Sequence, residues 1–415
     1  MFKLDFETKN KYYLILLSLF PIFYIVGSLF LNTIIALISF LFIVNYSKIK
    51  YDKNLLIFFF FIVIFFIINS IFSENSTYSF YKSLAYLRYV LFVLGLYYIL
   101  NNSSSNSKKI ISKIFILISI FLIADIFFEF FNGSDIFGNN YGANYNRISG
   151  PFGDELIVGF FLFYFGFISW GLFIRYHKFK NKFIFYLFTV TIIYTIYLTG
   201  ERNAFYSSLI FLILIILLEA KIRKISFFAL VTITVLFYFS NKFNVVGNKY
   251  DFSNINQIKT LSKEQDKEDF SKFEKLTNTA LNSHWILHYK SAFEIFKENP
   301  IIGSGFKTFR TACPKNENSK KYLCASQPHN IYFELLSDTG IIGLLIFMLI
   351  FIYPILLFFK NFNNVNVSSK IFFALFLVYI FPFKPHGSLF TTSFATLLWF
   401  LYSINLYCFE DDKKK

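Results

Sequence analysis

Apolar runs of roughly 17–25 residues recur along this chain, the length that crosses a bilayer core as a helix. They lie near 12–28, 30–46, 54–73, 81–100, 110–131, 155–174, 183–199, 203–218, 225–240, 331–358, 370–383 and 389–408. A β-barrel is excluded, because barrel strands are short and alternate between apolar and polar. No soluble single domain needs an apolar share of 56%. The expectation is an all-α integral membrane protein with about twelve transmembrane helices and one large periplasmic loop between spans nine and ten. The abundance of Phe, Ile, Lys and Asn reads as coding bias, and the 63 Phe residues carry no functional signal of their own.

The net charge of +15 would suggest a nucleic-acid partner in a soluble protein. Here it has a plainer cause, since Lys and Arg gather in alternate short loops, as the positive-inside rule expects. The loops after spans two, four, six, eight and ten hold Lys48, Lys50 and Lys53; Lys108, Lys109 and Lys113; Arg175, Lys178, Lys180 and Lys182; Lys221, Arg223 and Lys224; Lys360 and Lys370. Lys413, Lys414 and Lys415 add to the carboxyl terminus, whereas Ser73 to Ser79 has no basic residue and 132–154 has only Arg147. Both termini are therefore expected in the cytoplasm, with no nucleic acid as partner. Met1 to Lys11 is charged and leads into a full-length span, so it reads as part of a retained first helix.

This topology divides the chain into spans one to nine (1–240), a periplasmic loop (241–330), and spans ten to twelve with a short cytoplasmic tail (331–415). It also exposes a group of basic residues on the disfavoured side or inside spans: Lys82, Arg88, Arg147, Arg202 and Lys384. Such charges are costly near a bilayer unless they have a partner. One shared anion, such as a diphosphate, would account for several of them. Separate local pairs, for instance Arg202 with Glu201, would account for them equally well.

The loop begins polar and rich in Lys, Asp and Glu from Asn241 to Lys275. Trp285, Tyr289, Ala292 and Phe296 then fall at helical spacing, which predicts an amphipathic helix from about 283 to 298. Asn299-Pro300 stops it and Gly303-Ser304-Gly305 makes the next turn. Cys313 and Cys324 both lie in this loop, where an oxidising compartment would allow a disulfide. His284 and His288 stand four apart without a third ligand, so no metal site is expected. The loop ends at Gln327-Pro328-His329-Asn330, and a new span begins with Ile331-Tyr332-Phe333-Glu334. His329 thus sits at a water–membrane boundary, where imidazole suits proton transfer near neutral pH. Its blander reading is an interfacial polar residue beside a helix cap at Asn330.

Four pieces converge: Arg147-Ile148-Ser149-Gly150-Pro151-Phe152 before span six, Gly200-Glu201-Arg202-Asn203-Ala204 in the tight turn after span seven, Asn299-Pro300-Ile301-Ile302-Gly303-Ser304-Gly305, and His329-Asn330 with Gly340 and Gly343 beyond it. In this order and topology the chain resembles the O-antigen ligase and O-antigen polymerase superfamily, most strongly from about Leu198 to Tyr353. The resemblance implies a multi-pass glycosyltransferase of the bacterial inner membrane with its active site facing the periplasm. Its donor would be a glycan on undecaprenyl diphosphate. The acceptor would be lipid A–core in the ligase branch, or another lipid-linked glycan in the polymerase branch. No cofactor and no metal are implied, and membrane lipids are the other partners.

By similarity Arg202 matches the Arg of the turn after span seven, and His329 the His of the His-Asn motif; these are the candidate catalytic residues. A guanidinium can hold phosphate oxygens as the sugar–diphosphate bond breaks. The imidazole could take the proton of an acceptor hydroxyl, or bind phosphate as imidazolium. Arg147, Arg88 and Lys82 are candidate further contacts to diphosphate or glycan, and Glu201 and Glu334 candidates to orient the His or the Arg. Relatives often carry an Arg before the amphipathic helix; this chain has Asn282-Ser283-His284-Trp285, making His284 the candidate substitute. From a different class, a lipid-linked oligosaccharide flippase or other transporter should show internal repeats and polar breaks near mid-membrane. No such repeat is visible.

Overall fold

The computed structural model describes residues 6–45, 53–142, 147–177, 181–246 and 284–414. Lys48, Lys50, Lys178, Lys180, Lys415 and most of the polar half of the loop lie outside the described residues. The described residues form α1 (Phe6–Val26), α2 (Ser28–Asn45), α3 (Lys53–Ile71), α4 (Ser76–Tyr86), α5 (Arg88–Asn102), α6 (Ser105–Asn132), α7 (Val158–Tyr176), α8 (Lys182–Leu198), α9 (Arg202–Leu218) and α10 (Arg223–Lys242). They continue with α11 (His284–Glu298), α12 (Phe309–Ala312), α13 (Ile331–Lys360), α14 (Val367–Tyr379) and α15 (Thr392–Lys413). Among them no strand occurs.

Seven helical stretches are long and apolar enough to cross a membrane, with α4 and α5 taken together as one; five shorter apolar helices of 10–17 residues accompany them. Helices that are apolar on every side must be either buried or lipid-facing. α7 and α15 take the buried role, with every residue from Val158 to Leu172 and from Ala395 to Phe409 buried. α14 is buried from Ile371 through Phe376. Phe60 and Phe61 of α3 and Phe227 and Phe228 of α10 remain exposed around this centre. Small residues allow the closest packing: a Cβ on Gly166 would come within 2.8 Å of Ile192, and one on Gly171 within 2.6 Å of Phe372.

Polar ties sort the helix ends into two groups. At one end Arg175 pairs with Asp411 (2.5 Å) and Asp412 (3.0 Å), Lys370 pairs with Glu219 (3.1 Å), and Ser104 N donates to Asn10. At the other end the segments 147–160, 199–203, 299–308, 329–334 and 382–393 are joined by hydrogen bonds described below.

Three expected spans differ in detail. The span near 81–100 begins earlier, at Ser76, and is interrupted at Leu87, where Arg88 Nη1 takes the Ala85 carbonyl (3.0 Å). The span near 370–383 ends at Tyr379, short of Pro382. α13 is non-helical at Gly340 (φ 63°, ψ −167°). There the 299–305 turn inserts its own backbone bonds: Ser304 N and Gly305 N donate to the carbonyls of Ser337 and Asp338, and Ile341 N and Ile342 N to those of Pro300 and Ile301. Backbone groups freed by the kink are thus paired again inside protein, as a bilayer demands.

Candidate active site

The segment 382–389 holds the two main motifs together. Asn330 caps α13, its Oδ1 accepting from Tyr332 N (2.9 Å) and Phe333 N (3.3 Å), while its Nδ2 donates to the Pro382 carbonyl (2.8 Å). Asn203, in the first turn of α9, donates to the Pro385 carbonyl (2.8 Å). His386 N donates to the His329 carbonyl (2.7 Å). Arg202 and His329, far apart in sequence, are therefore each one residue or fewer from a bond to the same Pro385-His386 pair. Glu334 anchors the far half of this segment, accepting from Ser388 Oγ and from Leu389 N (2.7 Å).

His329 adopts a left-handed backbone (φ 58°), unusual for a residue with a Cβ. Its half-buried ring lies 5.1 Å from Trp285 and 5.1 Å from His288 of α11. Burial, and then the neighbouring His288 and His284, push its pKa down to about 4, so at neutral pH the free protein presents an uncharged imidazole. His288 is fixed by a bond between Nδ1 and the Leu323 carbonyl (2.9 Å). His284, exposed, has its ring 4.7 Å from that of His288.

α11 spans His284–Glu298, and its buried face agrees with the apolar spacing at Ala292 but is rotated away from Trp285. His288, Ser291, Ala292 and Ile295 point inward, whereas Trp285 is 42% exposed. The shift arises because Ala292 and Ile295 pack with Phe309, Ala312 and Cys313, while Tyr289 stacks on Phe333 at 5.0 Å. Cys313 and Cys324 form a disulfide (Cα–Cα 5.7 Å) that closes the excursion beneath this helix.

Arg202 opens α9, is exposed, and makes no hydrogen bond or ion pair with any described residue. The local pair with Glu201 does not form. Glu201 turns inward and accepts from Gly159 N (2.7 Å) and Phe160 N (3.1 Å), two donors left open by the first turn of α7. Its nearest cation is Arg147 at 3.7 Å, which also donates to the Leu156 carbonyl (2.8 Å). Burial pushes Glu201 up to about 7 against the opposing pull of Arg147 and the two amides. Neither Glu201 nor Glu334 bonds to His329 or Arg202; Glu201 is occupied by two backbone amides and Glu334 by one amide and the Ser388 hydroxyl, because a buried carboxylate must find donors.

Lys82 and Arg88 lie elsewhere. They line a cavity of about 230 Å³ with Asn32, Ala85, Tyr86, Lys307, Phe390 and Thr392. Lys307 and His386 belong to no motif of the sequence, and Asn203 and Lys384, present there only as a motif neighbour and as one of the outer-side cations, gain specific partners in the structure. Lys384 is buried, with Nζ 3.2 Å from Tyr164 Oη, and burial pushes it down to about 7. His386 is pushed to about 3 by burial and by Lys384; its Nδ1 bonds the Gly387 carbonyl (2.8 Å) and its buried Nε2 has no partner. One signal for this group was legible: Pro382, Lys384, Pro385 and His386 form a polar break between two apolar runs.

The fold and site define a class: a polytopic helical membrane protein in which one short segment, Pro385-His386, bonds the turn that carries Arg202 and the motif that carries His329 at one end of the bundle. Residues 187–348 match the family model described as O-Antigen ligase, which supports placing the chain in the O-antigen ligase superfamily. The matched segment contains Arg202, His284, His288, Lys307, His329 and Glu334. An uncharacterized protein of Haemophilus influenzae is 31% identical over 107 residues, a stretch covering 25% of this chain and 27% of that protein.

Proposed function

We propose that this protein is an O-antigen ligase-like glycosyltransferase that moves a glycan from undecaprenyl diphosphate to lipid A–core at the periplasmic face of the inner membrane. The observation that carries the reading is that the segment Pro385-His386 ties the backbone of His329, whose imidazole is neutral, to Asn203, the neighbour of the exposed Arg202, which pairs with no described residue. Arg202 engages the diphosphate and stabilises the charge that develops as the sugar C1–O bond breaks. His329 accepts the proton of the acceptor hydroxyl as its oxygen bonds to C1. The products are the glycosylated acceptor, undecaprenyl diphosphate, and a protonated imidazole that returns its proton to solvent. No metal is needed in this scheme, since the permanent charge of Arg202 serves the leaving group. Arg147 supports it by holding Glu201, and His284 flanks the entrance beside His288.

The orientation rests on charge. Lys108, Lys109, Lys221, Arg223, Lys224, Lys360 and Lys413 belong to the bundle end opposite His329, and that excess supports a cytoplasmic assignment for it and for both termini.

The test is glycan analysis in cells lacking the gene, complemented with wild type, Arg202→Ala or His329→Ala. Long chains accumulating on the lipid carrier with bare core at the surface support the ligase reading. Single repeat units on the core and no long chains would make the enzyme a polymerase. Unchanged pools in all strains would sink the transferase reading and favour a transporter.

A further inference from the structure

The cavity between α2, α4, α5 and the 303–308 turn is lined by three cations, Lys82, Arg88 and Lys307, and by no acidic residue. None of the three forms an ion pair among the described residues. Among the described residues Lys307 Nζ bonds the Phe390 carbonyl alone (3.1 Å). Glu334 and Asp338 both attract Lys307, but Glu334 is committed to Ser388 and Leu389, and Asp338 accepts from Phe309 N. Arg88 spends its Nη atoms on Ala85, Tyr89 and Thr392; its buried Nε, and the buried Oδ1 of Asn32, have no partner among the described residues. Like charges converge here against a gradient, for burial and the charge of Lys82 both push the Lys307 pKa down. Lys307 is also held in a left-handed backbone (φ 59°). Strain and crowded like charge persist where the surrounding fold imposes them, and an anion relieves the repulsion.

The position of the cavity identifies the anion. Leu29, Phe30, Phe80, Tyr81 and Leu84 are exposed apolar side chains on the helices that frame it, so its rim faces acyl chains. Basic pockets between membrane helices suit phosphorylated lipid headgroups. The cavity is also tied to the candidate active site, since His386 bonds His329 and Phe390 lines the cavity. The four residue steps between them span at most about 14 Å. A transferase joining two lipid-borne substrates must hold two headgroups within reach of one reaction centre.

We propose that Asn32, Lys82, Arg88 and Lys307 form a second phosphoryl-headgroup site that holds the acceptor lipid while Arg202 engages the donor. This rests on the transferase reading above. The full-length protein in phosphatidylcholine nanodiscs, titrated with undecaprenyl diphosphate and with bisphosphorylated lipid A and counted by native mass spectrometry, tests it. Wild type is expected to bind one equivalent of each, Lys82→Gln/Arg88→Gln/Lys307→Gln undecaprenyl diphosphate alone, and Arg202→Ala lipid A alone. Lipid A retained by the triple variant overturns the proposal. Lipid A lost in the triple variant, with undecaprenyl diphosphate still bound by Arg202→Ala, upholds the cavity and rejects instead the role given to Arg202. Inorganic pyrophosphate that displaces the cavity lipid at equal concentration would make this a free-anion site and overturn the headgroup assignment. If the triple variant fails to fold, Lys82→Gln, whose side chain is exposed, is expected to weaken cavity occupancy by about threefold to tenfold; unchanged occupancy overturns the proposal.

Discussion

Glu201 faces Arg147 at 3.7 Å and turns its back on Arg202, the residue that follows it. The pairing divides the turn into a structural half and a free half. Glu201 caps α7, so Glu201→Ala should lower stability by about 1–2 kcal/mol; Arg147 is 27% exposed, which limits the further cost of leaving it unpaired. Arg202→Ala should leave the melting temperature in detergent unchanged and lower transfer by about 10²–10³-fold. Thermal unfolding and transfer assays on both variants check this. A destabilised Arg202→Ala would show that the guanidinium has a structural partner after all.

Arg202→Lys keeps the charge and loses the planar fork. Bidentate recognition of phosphate predicts recovery of only a small part of the Arg202→Ala defect. Full recovery by Lys in the transfer assay would mean that a point charge suffices and that geometry at this position is unimportant.

The pH dependence follows from His329. Its folded pKa of about 4 lies below the ordinary 6.5. Between these values the unfolded chain binds more protons than the folded one, so the contribution to stability is complete above 6.5 and lost as pH falls toward 4. For activity, the acid limb of kcat/KM reports the free enzyme, and it should fall nearer pH 4 than 6.5. A profile collapsing at 6.5 or above would indicate an imidazolium in the resting protein, and with it a phosphate-binding role.

The repeated apolar runs made the helical membrane architecture legible, because run length alone sets what a bilayer accepts. Arg202 and His329 stood out as polar residues at span ends. What stayed hidden is long-range: no local pattern announces that Asn203 reaches Pro385, that His386 reaches His329, or that Lys307 joins Lys82 and Arg88. The buried face of α11 is rotated from the apolar spacing for a related reason. Trp285 is apolar yet exposed, while His288 and Ser291 are polar yet buried, because the Leu323 carbonyl accepts from Ser291 and meets the His288 ring.

Gly340 has φ +63°, and a Cβ there would lie 2.4 Å from the Ile301 carbonyl oxygen. Gly340→Ala must therefore either shift the 299–305 turn or straighten α13. Backbone strain and overpacking each cost about 1–3 kcal/mol, so reduced expression and a lower melting temperature are expected. Gly27→Ala, with nothing within 4 Å of its Cβ position but a φ of +126°, isolates the strain alone and should cost less. Equal losses in the two variants would show that contact with the turn is energetically unimportant.

Asn203 sits half-buried beside the exposed Arg202, and its Nδ2 bond to Pro385 is what fixes α9 to the segment carrying His386. Asn203→Ala removes that tie without touching the guanidinium or the imidazole. Loosening a positioned group by about an ångström can cost up to ~10²-fold in rate, so kcat should fall by about tenfold or more. Binding of the donor diphosphate should change little, because Arg202 makes no bond through Asn203. A steady-state comparison separates these terms. A raised donor KM at unchanged kcat would show instead that Asn203 serves the donor directly, and that the Pro385 contact is incidental to chemistry at His329.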